Sequence, residues 1–186
     1  MARKPPIDTV YRIQVSLLDV EPPVHRRLLV DAETPLGELH HLLQAALGWS
    51  ECHLHRFVAG ERSYSDPEFE LEEAQDEWEH SLADVAPRVG DEIHYEYDFG
   101  DDWRHLLRVE EIRRQPRDDS YPACVDGARA CPPEDCGGSF GYEHLLEVLS
   151  DPAHEEHQEL QEWVGGGFDP DTFDLDETNT RIREWA

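Results

Sequence analysis

Three histidines, His53, His55 and His105, stand in HLHRFVAG and YEYDFGDDWRHLLRVEE where a strand turns apolar side chains toward a core. Successive strand side chains point to opposite faces, so His53, His55 and Phe57 share one face and Leu54, Arg56 and Val58 the other. If the two stretches share a sheet, an H-x-H pair and a third imidazole make a workable ligand set for zinc or another divalent ion. The competing reading is a buried polar network, with His105 bonded to a tyrosine and to loop carboxylates, that fixes the core. Tyr97, Asp98, Asp101, Trp103, Glu134 and Asp135 complete the candidate pocket, with Asp98, Asp101 or Glu134 as auxiliary ligand or general base. Glu134 and Asp135 have an equally ordinary reading as turn-forming or capping residues.

A second set lies in YPACVDGARACPPEDCGG, where Cys124, Cys131 and Cys136 are spaced C-x6-C-x4-C. A closed structural zinc site needs four ligands, and paired C-x2-C knuckles are its strong signal. Here the fourth ligand would have to be Cys52 or a histidine, so zinc stands against buried free thiols in a proline-stiffened loop. Other motifs are excluded by their letters. HEEH at 154–157 is not H-E-x-x-H, and FDPDTFDLDE carries Asp174 where an EF-hand loop needs glycine. The chain contains no P-loop, dinucleotide fingerprint or G-x-S-x-G elbow.

The long hairpin must position His105. With a three-residue loop, Gly100-Asp101-Asp102, Phe99 pairs with Trp103, Tyr97 with His105, Tyr95 with Leu107 and Ile93 with Val109. That register keeps one aromatic face and one charged face, whereas an even loop scrambles both. His105 is therefore expected inside, beside Tyr97.

Around the hairpin, residues 10–18 and 25–33 read as strands joined by the turn EPPV. TPLGELHHLLQAALGW is the clearest helix, with Thr34 as cap, Pro35 in the first turn, an apolar stripe of Leu36, Leu39, Leu43 and Leu47, and Gly48 as stop. HLHRFVAG and ERSYSD read as paired strands, residues 68–80 as an exposed acidic loop, and SLADVAPRVG as a short helix or turn. Helical patterns follow at 142–149, 153–164 and 177–184; Asp151-Pro152 starts the second and Gly165-Gly166-Gly167 ends it. Strands early and helices late predict an α+β fold. Its expected form is a twisted, mostly antiparallel sheet with the long hairpin, one helix after the first two strands, and a helical C-terminal part. The chain reads as a single domain, 1–186: strand-rich over 8–114, a Pro/Gly/Cys loop over 116–138, and helical over 139–186.

Composition bounds the partners. The 186 residues carry 43 Asp and Glu against 16 Lys and Arg, a net charge of -27 that opposes direct nucleic-acid binding. One local exception is RVEEIRRQPR, with Arg108, Arg113, Arg114 and Arg117 close together. The acidity suits a basic protein partner, or hydration at high salt. No apolar run reaches the roughly 20 residues that span a bilayer, and the first residues lack the pattern of a secretory leader. A cytoplasmic protein with reduced thiols is the expectation.

YRIQVSLLDVEPPVHRRLLV, LGWSECHLHRF, YEYDFGDDWRHLLRVE, CPPEDCGGSFGYEHLL and FDPDTFDLDETN occur in that order. On these stretches, which span nearly the whole chain, the protein resembles the plasmid pRiA4b ORF-3-like family, which includes TnpR-like passenger proteins of insertion elements. The resemblance implies a compact α+β domain encoded on plasmids or mobile elements, and it carries over no catalytic residues. The sequence has no resolvase serine motif. The functional expectation is a non-enzymatic binding or regulatory module; the alternative is a metal-dependent hydrolase or nuclease using the strand histidines and nearby carboxylates.

Overall fold

A computed structural model describes residues 7–116 and 120–185. Five of its strands follow the alternation in the sequence: β1 (Ile7–Leu17), β2 (His25–Asp31), β3 (His55–Ala59), β6 (Glu92–Tyr97) and β7 (Trp103–Pro116). With β4 (Arg62–Ser65), β5 (Ala74–Asp76) and β8 (Ala123–Ala128) they make one eight-stranded sheet in the order β5-β4-β3-β6-β7-β1-β2-β8. Every pairing is antiparallel except β4 with β5. The α+β expectation holds, including the helical C-terminal part.

One sheet face carries Tyr11, Ile13, Val15, Leu28, Val30, Phe57, Ile93, Tyr95, Leu107 and Val109, all buried. Helix α1 (Leu36–Leu47) buries Leu36, Leu39, Leu43 and Leu47 in the same core, and α5 (Leu175–Trp185) packs against α1 and β8. The opposite face is charged. Arg12 bridges Glu110 and Glu111, Arg27 bridges Glu110 and Asp126, and Arg56 pairs with Glu96. Such half-exposed pairs add little stability each, but they keep this face wet and fix which side of each strand is inside.

Several expectations need correction. Thr34 does not cap α1: Pro35 holds that position without a side-chain bond, and the Leu36 amide donates to the His80 carbonyl at 2.9 Å. Residues 68–80 are not merely an exposed loop, since they supply β5 and a 3-10 turn, Glu77–Glu79, whose first residue is buried. Within the stretch read as a Pro/Gly/Cys loop, β8 adds an edge strand to β2. Of the later helices, α3 (Gly138–Ser150) and α5 match, while α4 (His157–Trp163) starts several residues after Asp151-Pro152.

The hairpin loop is odd, as expected, but longer. Tyr97 pairs with Trp103 and Tyr95 with His105, so residues 98–102 form the loop and the register slides by one step. The cause is local. The Asp98 amide leaves the ladder for the Leu54 carbonyl, and Asp98 Oδ1 accepts from the amides of Gly100 and Asp101. Parity survives the slide, and His105 is fully buried.

Candidate functional site

At the hairpin end of the sheet three segments distant in sequence meet: 50–53 after α1, 97–101 at the hairpin tip, and 134–138 leading into α3. They are joined by one phenol. The Cys52 amide donates to the Tyr97 hydroxyl at 3.1 Å, and that hydroxyl donates to Glu134 Oε1 at 2.7 Å. Glu134 Oε2 accepts in turn from the amide and hydroxyl of Ser50. Burial and the bond to Glu134 raise the pKa of Tyr97 well above that of an ordinary phenol, so it remains a protonated donor. Trp49 stacks on Tyr97 and donates to the Pro132 carbonyl at 2.9 Å, which seats the PPED segment against the end of α1.

The next residue along each segment faces its counterparts. His53 Nε2 lies 3.1 Å from Asp135 Oδ1 and 3.6 Å from Asp98 Oδ2. Below them, Asp101 Oδ2 accepts from the Gly137 amide, and Gly138 brings its backbone so close to the Asp101 carbonyl that a Cβ there would sit 2.3 Å from that oxygen. The motifs DFGDD and PPEDCGG are therefore two halves of one junction.

The structure brings together His53, Tyr97, Asp98, Asp101, Glu134 and Asp135 from the expected pocket, and separates the rest. His55 and His105 share a sheet face, but β6 lies between their strands. Neighbouring strands are about 4.8 Å apart, and among the described residues the two imidazoles belong to no common group of metal-ligating side chains. His53 precedes β3 and turns toward the loops. The expected His53–His55–His105 set is thus corrected. His105 bonds neither a phenol nor a carboxylate: its Nδ1 lies 3.2 Å from the Tyr95 carbonyl, and its ring meets Trp49 and Tyr95. Trp103 is buried under the same aromatic cluster.

The thiols do not converge either. Among the described residues, no cysteine belongs to a group of three or more metal-ligating side chains. Cys124 bonds the Asp126 carbonyl, Cys131 lies 3.4 Å from Arg26 Nη2, and Cys136 sits near Asp101 with its thiol pushed up to about 12, chiefly by burial.

The polar interior that does form was missed by sequence reasoning. His40 stacks on His55 with centroids 3.5 Å apart, and its Nδ1 lies 2.7 Å from the Tyr95 hydroxyl. Gln44 donates to the same hydroxyl at 2.9 Å, and His55 Nε2 meets the buried Glu77 at 2.9 Å. Spacing held a partial signal, since Leu36, His40 and Gln44 fall at four-residue intervals on the buried stripe of α1. Glu77 sits in an acidic run with no pattern to mark it.

The phenol makes the junction testable. Tyr97→Phe should lower unfolding stability by about 1–2 kcal/mol, because the Cys52 amide loses its acceptor and Glu134 a donor. Urea denaturation with amide exchange checks it, and unchanged stability together with unchanged exchange at Cys52 would rule the tie out.

The model of the family described as plasmid pRiA4b ORF-3-like protein matches residues 9–177. The chain is 34% identical over 183 residues to the uncharacterized protein y4hQ of Sinorhizobium fredii, covering 97% of this chain and 94% of that protein. It is similar to a crystal structure of a protein of unknown function, MM3350 from Methanosarcina mazei Go1, with a TM-score of 0.84 and 34% identity over 91% of this chain and 97% of the other. Among the described residues no helix is long and apolar enough to cross a membrane. By the extent of the family match and the near full-length likeness to y4hQ, this chain belongs to the plasmid pRiA4b ORF-3-like family.

Proposed function

We propose that the protein is a non-enzymatic binding module whose contact surface is the hairpin end of the sheet, and that its partner is a basic protein. One observation carries this reading. Each of the three segments tied through Tyr97 presents a large apolar side chain to solvent at or beside the tie: Leu54, Phe99 and, most exposed, Phe140 at 85%. Exposed aromatic groups among carboxylates suit a partner with apolar anchors and a cationic rim. The net charge of -27 would speed such an encounter.

The alternative, a metal-dependent hydrolase or nuclease, draws on the His53–Asp98–Asp135 cluster. Against it weigh the acid–base states nearby. Tyr97 and Cys136 are held protonated far above neutrality, and His105 is held neutral with its value lowered to about 4 by burial. None of these three supplies a general acid or base near pH 7, which leaves that role to the carboxylates alone.

Capture from native lysate at matched salt tests the binding reading. The chain should retain a discrete basic protein that a Phe99→Ser/Phe140→Ser variant loses by tenfold or more while keeping its melting temperature. A solitary chain, or equal retention by the variant, would overturn it.

A further inference from the structure

We infer that the outer residues of the three-segment junction, His53, Asp98 and Asp135, hold one divalent first-row cation, with Zn2+ favoured over Mn2+, Mg2+ and Ca2+. The inference rests on the reading of this end of the sheet as the binding surface, and adds the ion that completes it.

The donor atoms are already spaced for coordination. Metal–ligand bonds of about 2.0–2.2 Å place neighbouring ligand atoms about 3.0–3.5 Å apart. The measured separations from His53 Nε2 are 3.1 Å to Asp135 Oδ1 and 3.6 Å to Asp98 Oδ2. One atom from each of the three residues lies within 4.8 Å of both others. Yet His53 Nε2 is shielded from solvent and makes no well-directed hydrogen bond, although a carboxylate oxygen is close enough for one. A nitrogen with a carboxylate at bonding distance but the wrong angle is better served by an ion between them than by a proton.

The surroundings hold these groups in place before any ion arrives. Asp98 has its Oδ1 occupied by the Gly100 and Asp101 amides, leaving Oδ2 for His53. The residues immediately preceding the three donors are bound together through the Tyr97 hydroxyl and Glu134, so each donor's backbone is fixed by a neighbour. Two carboxylates and one imidazole balance a divalent charge. The imidazole favours Zn2+ over the oxygen-seeking ions, Mn2+ among them, which leaves Mn2+ as a weaker-binding paramagnetic probe that Zn2+ displaces. The ion would pin the hairpin tip to the loop before α3 and hold Phe99 and Phe140 in one relative arrangement.

The test is equilibrium dialysis with Mn2+, followed by electron paramagnetic resonance, with Zn2+ as competitor, on untagged full-length protein. One ion per chain is expected, bound at least tenfold more weakly by His53→Ala and by Asp135→Asn. Asp135 is largely exposed, so Asp135→Asn leaves the fold intact even if His53→Ala does not. A second group, His40, His41 and Glu51, also places donor atoms within 4.8 Å, but His40 Nδ1 is engaged by Tyr95. His41→Ala should therefore bind Mn2+ as the parent does. No retained ion, equal binding by the two site variants, or loss in His41→Ala would overturn the inference. Partner capture is scored separately with and without chelator. Capture without ion binding sinks this inference alone, and ion binding by a solitary chain sinks only the proposed function.

Discussion

Replacing Gly141 with alanine should destabilise the protein by about 3–5 kcal/mol, at the upper end for a single substitution, because the backbone itself must move. A Cβ at Gly141 would lie 1.9 Å from the Cys136 carbonyl oxygen and 2.8 Å from its carbon. Both are main-chain atoms, so no rotamer change relieves the clash. The Gly141 amide also donates to the Gly137 carbonyl at 3.1 Å, within the first turn of α3, and that turn would have to open. Opening it displaces Gly137 and Gly138 from Asp101, undoing the contact between the two motifs. Gly165→Ala is the matched control. Its φ of 78° is positive, unlike that of Gly141, but a Cβ there meets nothing within 4 Å, so only the dihedral cost of about 1–2 kcal/mol applies. Urea denaturation of the two variants beside the parent decides the matter. Gly141→Ala within 1 kcal/mol of Gly165→Ala would mean that the junction is not closely packed.

How much of this was legible in the letters depends on the length scale of the signal. The stripe of α1 and the alternation of β2 and β7 are periodic over many residues, and they read correctly. His105 was placed inside because parity depends only on whether the loop is odd. Its partner was misplaced by one step because Asp98 gives its amide to Leu54, a tertiary contact with no local trace. The same distinction explains the candidate site. Strand parity says which face a histidine occupies, but the distance between His55 and His105 depends on sheet order, which puts β6 between them. His53, Asp98 and Asp135 were each named as candidates from residue type. That they form the cluster follows from glycines that let the 134–138 segment approach the hairpin, visible only once Gly138 is seen against Asp101. Glu77 had no legible signal, since burial of one carboxylate in an acidic run is decided by the imidazole across from it.

Acidification should unfold this protein well before its surface carboxylates are all protonated. Burial, the neighbouring His55 ring and then His41 lower the His40 value to about 2, and burial lowers that of His105 to about 4. Both are neutral when folded, while an unfolded histidine takes up its proton near 6.5. Below that point the unfolded state binds more protons than the native state, so unfolding free energy falls as pH falls. The stability is fully present above about 6.5 and is lost down to 4 for His105 and down to 2 for His40. Each ring contributes about 1.4 kcal/mol per pH unit inside its window. At pH 4.5 the two together remove about 5 kcal/mol, which rivals the whole stability of many single domains. Paired carboxylates such as Glu110, whose pKa is lowered by the hydrogen bond from Arg27, titrate lower and add their loss at the acid end. Denaturant unfolding measured from pH 7.5 to 4.5 should therefore show a steep decline that begins near 6.5. His105→Leu should make that decline shallower by up to about 1.4 kcal/mol per pH unit, despite a lower stability at pH 7.5 from the lost bond to the Tyr95 carbonyl. A flat profile above pH 5, or an undiminished slope in His105→Leu, would mean that these rings accept protons in place, and that the interior beneath the junction is wetter than its packing implies.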